Sequence, residues 1–92
     1  MPDFTVVLTD RAIADVDRLP VRVRLQGIQD VASLARDPLP PRPGSKKLKG
    51  YRPPLYRLRA GDFRVLYRVI DTTITVLRVI DRRGLDRTLD TL

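Results

Sequence analysis

The chain contains no cysteine and no histidine among its 92 residues. Without cysteine there is neither a disulfide framework nor a thiolate metal site, an absence that fits a reducing compartment. Without histidine, Ser-His-Asp and Cys-His triads, zinc sites of the usual kind and imidazole acid–base chemistry all drop out. No metal and no cofactor is therefore expected. No apolar run approaches the ~20 residues that a bilayer-spanning helix requires. The stretch from Met1 to Leu8 carries acidic Asp3 and no basic segment, so it does not read as a secretory signal. The expectation is a soluble, cytoplasmic protein with no membrane partner. A chain this short buries only roughly 60 to 65 % of its unfolded surface, so residues 1–92 are read as one domain.

What is present in excess is positive charge, and it is one-sided. Residues 1–45 hold six arginines and six aspartates, whereas residues 46–92 hold twelve Lys/Arg against five Asp. The whole net charge of +7 thus belongs to the second half. A basic region confined to one part of a chain is the footprint expected of a polyanion binder.

The local pattern supplies the elements. Asp3–Leu8 is a β-branched run that reads as a strand. Thr9 or Asp10 can cap a helix whose apolar face is Ala12, Val16 and Leu19. Pro20 suits the first turn of a second helix, in which Val21, Leu25, Ile28, Ala32 and Ala35 repeat at helical spacing, widened by Val31 and Leu34. That stripe is read as core. The proline-rich stretch Asp37–Ser45 reads as a stiff loop. Three strand-like runs follow, Leu55–Arg59, Phe63–Ile70 and Thr73–Ile80, separated by Gly61-Asp62 and Asp71-Thr72. The predicted fold class is α+β, in the order β-α-α-β-β-β, with a helical hairpin packed on one face of a mainly antiparallel sheet.

Two-residue hairpins would pair Arg59 with Arg64 and Val69 with Ile74, and alternation then assigns the faces. One face collects Tyr56, Leu58, Phe63, Val65, Tyr67, Val69, Ile74, Val76 and Ile80, with Arg78 as a misfit expected at the sheet margin or snorkelling outward. The other collects Arg57, Arg59, Arg64 and Arg68 with Leu66, Thr75, Leu77, Val79 and Asp81. Like charges set directly across a sheet destabilise it by ~0.2 to 1 kcal/mol. An anion over that face explains the cluster, because guanidinium forks match phosphate oxygens bidentately. Lys46, Lys47, Lys49, Arg82, Arg83 and Arg87 flank it, and Tyr51 at its edge is placed to stack on a base.

Lys47-Leu48-Lys49-Gly50, the run from Tyr56 to Tyr67 (YRLRAGDFRVLY), Val76-Leu77-Arg78-Val79 and Arg82-Arg83 resemble the RelE family of the RelE/ParE toxin superfamily. The resemblance covers nearly the whole chain and implies the toxin of a type II toxin–antitoxin pair. Such toxins enter the ribosomal A site and cleave messenger RNA by driving a ribose 2′-hydroxyl against the adjacent phosphate. The resemblance places Arg57, Arg59, Arg64 and Arg83 at catalytic positions, Arg64 and Arg83 holding the scissile phosphate. It matches Lys47 and Lys49 to basic positions that grip the nucleic-acid backbone, and the charge pattern adds Lys46, Tyr51, Arg68, Arg82 and Arg87 as candidates for RNA binding.

Two positions differ from many family members. No tyrosine follows the paired basic residues, where Asp86 or Leu89 stands, and Asp81 replaces a histidine just before them. Arginine, with a pKa above ~12, is no ordinary general base, so Asp81 and Asp86 are left as candidates for proton transfer. Arginines beside Asp81 should depress its pKa. The implied partners are an antitoxin encoded by a neighbouring gene, messenger RNA and the ribosome, with operator DNA reached only through the antitoxin complex. The alternatives are a ParE-like inhibitor of DNA gyrase and a non-catalytic module that binds nucleic acid or antitoxin.

Overall fold

The structure, a computed structural model, describes residues 4–92. Asp3, assigned above to the first strand, lies outside them. The elements run β1 (Thr5–Leu8), α1 (Asp10–Asp17), α2 (Val21–Ser33), β2 (Ser45–Leu48), β3 (Leu55–Ala60), β4 (Phe63–Ile70), β5 (Thr73–Asp81), a 3-10 turn (Arg82–Gly84) and α3 (Leu85–Asp90). One sheet takes the order β1-β5-β4-β3-β2, with only β1 parallel to its neighbour. None of the described helices is long and apolar enough to cross a membrane.

Thr9 fixes the first corner. Its hydroxyl accepts from the Ala12 amide at 3.1 Å, capping α1, and donates to the Leu77 carbonyl at 2.9 Å, so the helix starts in contact with β5. At the next corner the Arg24 guanidinium donates to the carbonyls of Asp17 and Leu19, both at 3.1 Å, and Pro20 directly precedes α2. The main core lies between these helices and the sheet: Ala12, Leu19, Val31 and Leu34 pack on Leu58, Val65, Tyr67, Ile74, Val76 and Val79.

Both predicted hairpin registers hold, with Arg59 opposite Arg64 and Val69 opposite Ile74. The face assignment fails beyond one point on β5. Tyr67 opposes Val76 but Leu66 opposes Arg78, so Leu77 is an extra residue in a β-bulge. From there the parity of β5 reverses. Val79 enters the main core, and Ile80 turns to the opposite face. Arg78, rather than reaching solvent, is held by Asp15 of α1.

Three further features go beyond the expected order of elements. Ser45, read as the end of the loop, instead opens an edge strand, Ser45–Leu48, which finds β3 as a partner. The C-terminal residues form α3, whose Leu85 and Leu89 pack with Tyr51 on a second small core of Leu55, Leu66 and Ile80. Most notably, the α2 stripe is core only in part: its Val31 and Leu34 are buried, whereas its Val21, Leu25 and Ile28 are exposed. The thirteen residues of α2 include apolar side chains that are exposed as well as ones that are buried, and periodicity alone does not say which of them meet the sheet.

Candidate nucleic-acid interface

The arginine cluster is built around the β3–β4 hairpin. Arg57 and Arg59 share one face of β3 by alternation, and Arg64 stands directly opposite Arg59 on β4. Lys46 pairs with Arg57 across β2–β3 and joins that face, whereas Lys47 pairs with Tyr56 and belongs to the other. Arg82 reaches the cluster from the end of β5, where its amide donates to the Asp62 carbonyl of the hairpin turn at 2.9 Å.

The guanidinium groups are not equivalent. Arg57 donates to the Gly44 carbonyl at 2.9 Å. Arg64 folds back on its own turn, donating to the carbonyls of Gly61 at 3.0 Å and Phe63 at 2.9 Å. Arg83 lies along Asp81, with Nε 3.1 Å from Oδ1. Among the described residues, the guanidinium groups of Arg59 and Arg82 make no hydrogen bond or ion pair, and both residues are exposed. They are the free donors of the cluster. Its electrostatics are also clear: partial burial, then Arg59, Arg57 and Arg82 in that order, lower the pKa of Arg64. A phosphate placed here would relieve that repulsion.

Gly44 organises the support. Its φ of +84° favours glycine, and a Cβ there would stand 3.5 Å from Arg59, an ordinary contact, so the backbone conformation is what asks for glycine. Its carbonyl accepts both the Arg59 amide at 2.8 Å and the Arg57 guanidinium. One residue on, Ser45 Oγ lies 2.7 Å from Tyr67 Oη, which itself donates to the buried Pro38 carbonyl at 2.6 Å. Burial raises the pKa of Tyr67. The proline-rich loop is thus tied to the sheet at its start by Tyr67 and at its end by Arg57. Sequence reading missed both anchors; the one available signal was a glycine immediately before a lysine-rich strand.

Other candidates stand apart. Arg68 lies four residues along β4 from Arg64, roughly 13 Å away at strand rise, and its buried Nε has no partner among the described residues. The Tyr51 ring packs against the second core, so its stacking surface is partly committed. Lys49 is exposed in the loop after β2, and Asp86 and Arg87 are exposed on α3. Asp81 caps the 3-10 turn, accepting from the Arg83 amide at 2.8 Å. The Arg83 side chain, and then that amide, hold the Asp81 carboxyl below its ordinary value. It therefore remains ionised near neutrality as a weak base.

Residues 6–85 match a family model described as the ParE toxin of the type II toxin–antitoxin system parDE. Among solved structures, a chain of the toxin–antitoxin complex RelBE2 from Mycobacterium tuberculosis is 32% identical with a TM-score of 0.75, covering 87% of this chain and 99% of that one. The archaeal RelE–RelB complex from Pyrococcus horikoshii OT3 contains a chain 28% identical, with a TM-score of 0.74 and coverage of 89% and 97%. A chain of the intact E. coli RelBE toxin–antitoxin complex, 23% identical with a TM-score of 0.58 and coverage of 85% and 95%, shares the fold. None of the curated proteins matches.

Proposed function

Because the chain belongs to the ParE toxin family of type II toxin–antitoxin systems, we propose that this toxin cuts messenger RNA in the ribosomal A site, using the arginine face as its phosphate-binding surface. The observation that carries the reading is the convergence of Arg57, Arg59, Arg64 and Arg82 around one hairpin, with Arg59 and Arg82 left free to bind. In the reaction the ribose 2′-oxygen attacks the adjacent phosphorus and the bond to O5′ breaks. The fragments carry a 2′,3′-cyclic phosphate and a 5′-hydroxyl. Charge accumulates on the non-bridging oxygens as the pentacovalent state forms, and donors fixed at that point stabilise it. Arg59 and Arg82 supply such donors, and Arg64 adds to them when an entering phosphate draws it from its turn carbonyls. Arg57 keeps the strand and loop in register.

Proton transfer is not served by these groups, since arginine stays protonated and Asp81 is paired. The chain's part is substrate positioning and charge stabilisation, and the ribosome completes the site. Lys46, Lys47 and Lys49 extend the positive surface along which the message backbone runs. The partner that restrains the toxin is its antitoxin, whose acidic segment covers this face.

A second reading, poisoning of DNA gyrase, draws support from two observations: the matching family model is described as a ParE toxin, and no tyrosine lies in Gly84–Leu92. Run-off translation with the purified chain and mapping of RNA ends separates the two readings. Cuts within translated message carrying 5′-hydroxyl ends support cleavage, and gyrase-linked DNA breaks support the second reading.

A further inference from the structure

β1 ends at Leu8, opposite Val76, and among the described residues no other strand lies on that side of β5. Beyond this point the backbone groups of β5 that do not face β4 have to find partners elsewhere. They find them in side chains of the first helical corner. The Thr9 hydroxyl donates to the Leu77 carbonyl at 2.9 Å, and the Asp15 carboxylate of α1 accepts the Val79 amide at 2.9 Å. Asp15 is buried, and its two oxygens also hold the Arg78 guanidinium. Leu77, Arg78 and Val79 are thus all bonded to α1 or its cap, and they are the residues that make and follow the bulge.

The bulge decides what the end of β5 presents. Regular alternation from Val76, a residue of the main core, would turn Arg78, Ile80 and Arg82 toward the helices. The extra residue reverses this order. Val79 enters the main core, Ile80 packs with Leu66 on the other face opposite Arg64, and Arg82, two residues on, comes to the arginine cluster with its amide on the Asp62 carbonyl. Bulges re-aim side chains in this way beside functional sites.

We propose that Asp15 and Thr9 are positioning residues for phosphate binding: by fastening the bulge from α1, they keep Arg82 on the arginine face. This role rests on the message-cleavage reading and adds to it two residues that touch no RNA. The choice of a charged residue at position 15 follows from it. A buried ion pair gives little net stability over well-packed apolar side chains, and its best-attested use is to fix register. Here the register fixed is that of β5 past Leu77.

A double-mutant cycle on cleavage rates in run-off translation tests this, at a temperature where every variant is folded. Asp15→Asn keeps the side-chain volume and removes the charge. It is expected to slow cleavage about 10-fold, within the ~100-fold that a misplacement of about 1 Å can cost. In an Arg82→Ala background the same substitution should cost nothing further, because the group it positions is gone; in an Arg59→Ala background the full loss should remain. Equal losses in the two backgrounds, or no loss from Asp15→Asn, overturn the proposal. Asp15→Ala combined with Arg78→Leu separates position from stability. Its urea midpoint should exceed that of Asp15→Ala while cleavage stays as slow, since the Val79 amide still lacks its acceptor. Recovery of both would assign Asp15 to stability alone and overturn the proposal. If the unaltered chain leaves message intact, the cleavage reading fails separately, and the same cycle is run on affinity for a single-stranded RNA oligonucleotide. There, too, loss of the Asp15 effect in the Arg82→Ala background supports the positioning role, and additive losses overturn it.

Discussion

Asp15 and Arg78, 63 positions apart, form a two-point ion pair: Nε lies 2.8 Å from Oδ2 and Nη2 lies 3.0 Å from Oδ1. The same carboxylate accepts the Val79 amide at 2.9 Å, so α1 is bonded to β5 immediately after the bulge. Removing one partner of a buried ion pair costs about 3 kcal/mol or more, because the other charge is left without compensation. Asp15→Ala should therefore lower stability by about 3 kcal/mol in urea unfolding. Replacing Arg78 by leucine in that background should recover part of the loss. A change below ~1 kcal/mol would show the pair to be no stronger than an exposed one.

Tyr67 carries an alkaline signature. Its hydroxyl pKa is raised above the ordinary 10.0, chiefly by burial. A group whose folded pKa exceeds its unfolded value contributes fully below the unfolded value, and that contribution is lost as pH rises through the folded one. Stability should fall above about pH 10, and Tyr67→Phe should remove this component of the fall. Near neutrality the same substitution leaves the buried Pro38 carbonyl without its donor, at a cost of about 1 to 3 kcal/mol. A wild-type curve that Tyr67→Phe reproduces in full would rule out this assignment.

Asp81 behaves in the opposite sense. Its carboxyl is held below the ordinary 3.8 by Arg83, so its capping contribution is present above that value and lost as pH falls through the lower folded one. The chain has no histidine, the side chain that ordinarily titrates near neutrality. Cleavage rates should accordingly show no inflection from this chain between about pH 5 and 8. A sharp inflection there, removed by Asp81→Asn, would make Asp81 the proton-transfer residue after all.

Much of this was legible in the sequence. The Arg59–Arg64 register follows from a two-residue turn at Gly61-Asp62, and parity then puts Arg57, Arg59 and Arg64 together. Parity cannot report its own interruption: the bulge at Leu77 sits where the chain meets tertiary contacts, among them the Thr9 hydroxyl on the Leu77 carbonyl. That is why Val79 and Ile80 exchange places. The α2 stripe held only at Val31 and Leu34, for a different reason. Val21, Leu25 and Ile28 fit the helical period as well as Val31 and Leu34 do, and only the position of the sheet decides between them. The pairing of Arg83 with Asp81 was half visible, since proximity in sequence predicted the depressed carboxyl but not the commitment of the guanidinium.

These side-chain commitments grade the expected losses in cleavage. Arg59→Ala removes a free donor and should slow cleavage by about 10²- to 10³-fold, the usual effect of losing one group that stabilises the transition state. Arg82→Ala should act similarly. Arg83→Ala, which removes a group already paired with Asp81, should cost less. Arg11→Ala and Arg36→Ala, on the helical half, should leave the rate unchanged. Equal effects across all five would mean that the substitutions report only net charge.

The central claim, that the arginine face cuts translated message, is tested most directly by adding the purified chain to a run-off translation reaction and mapping the 5′ ends of the RNA. The account predicts cuts inside the translated reading frame, bearing 5′-hydroxyl groups and lost with Arg59→Ala. Intact message, together with toxin-dependent DNA breaks in a gyrase assay that Arg59→Ala leaves unchanged, would contradict it.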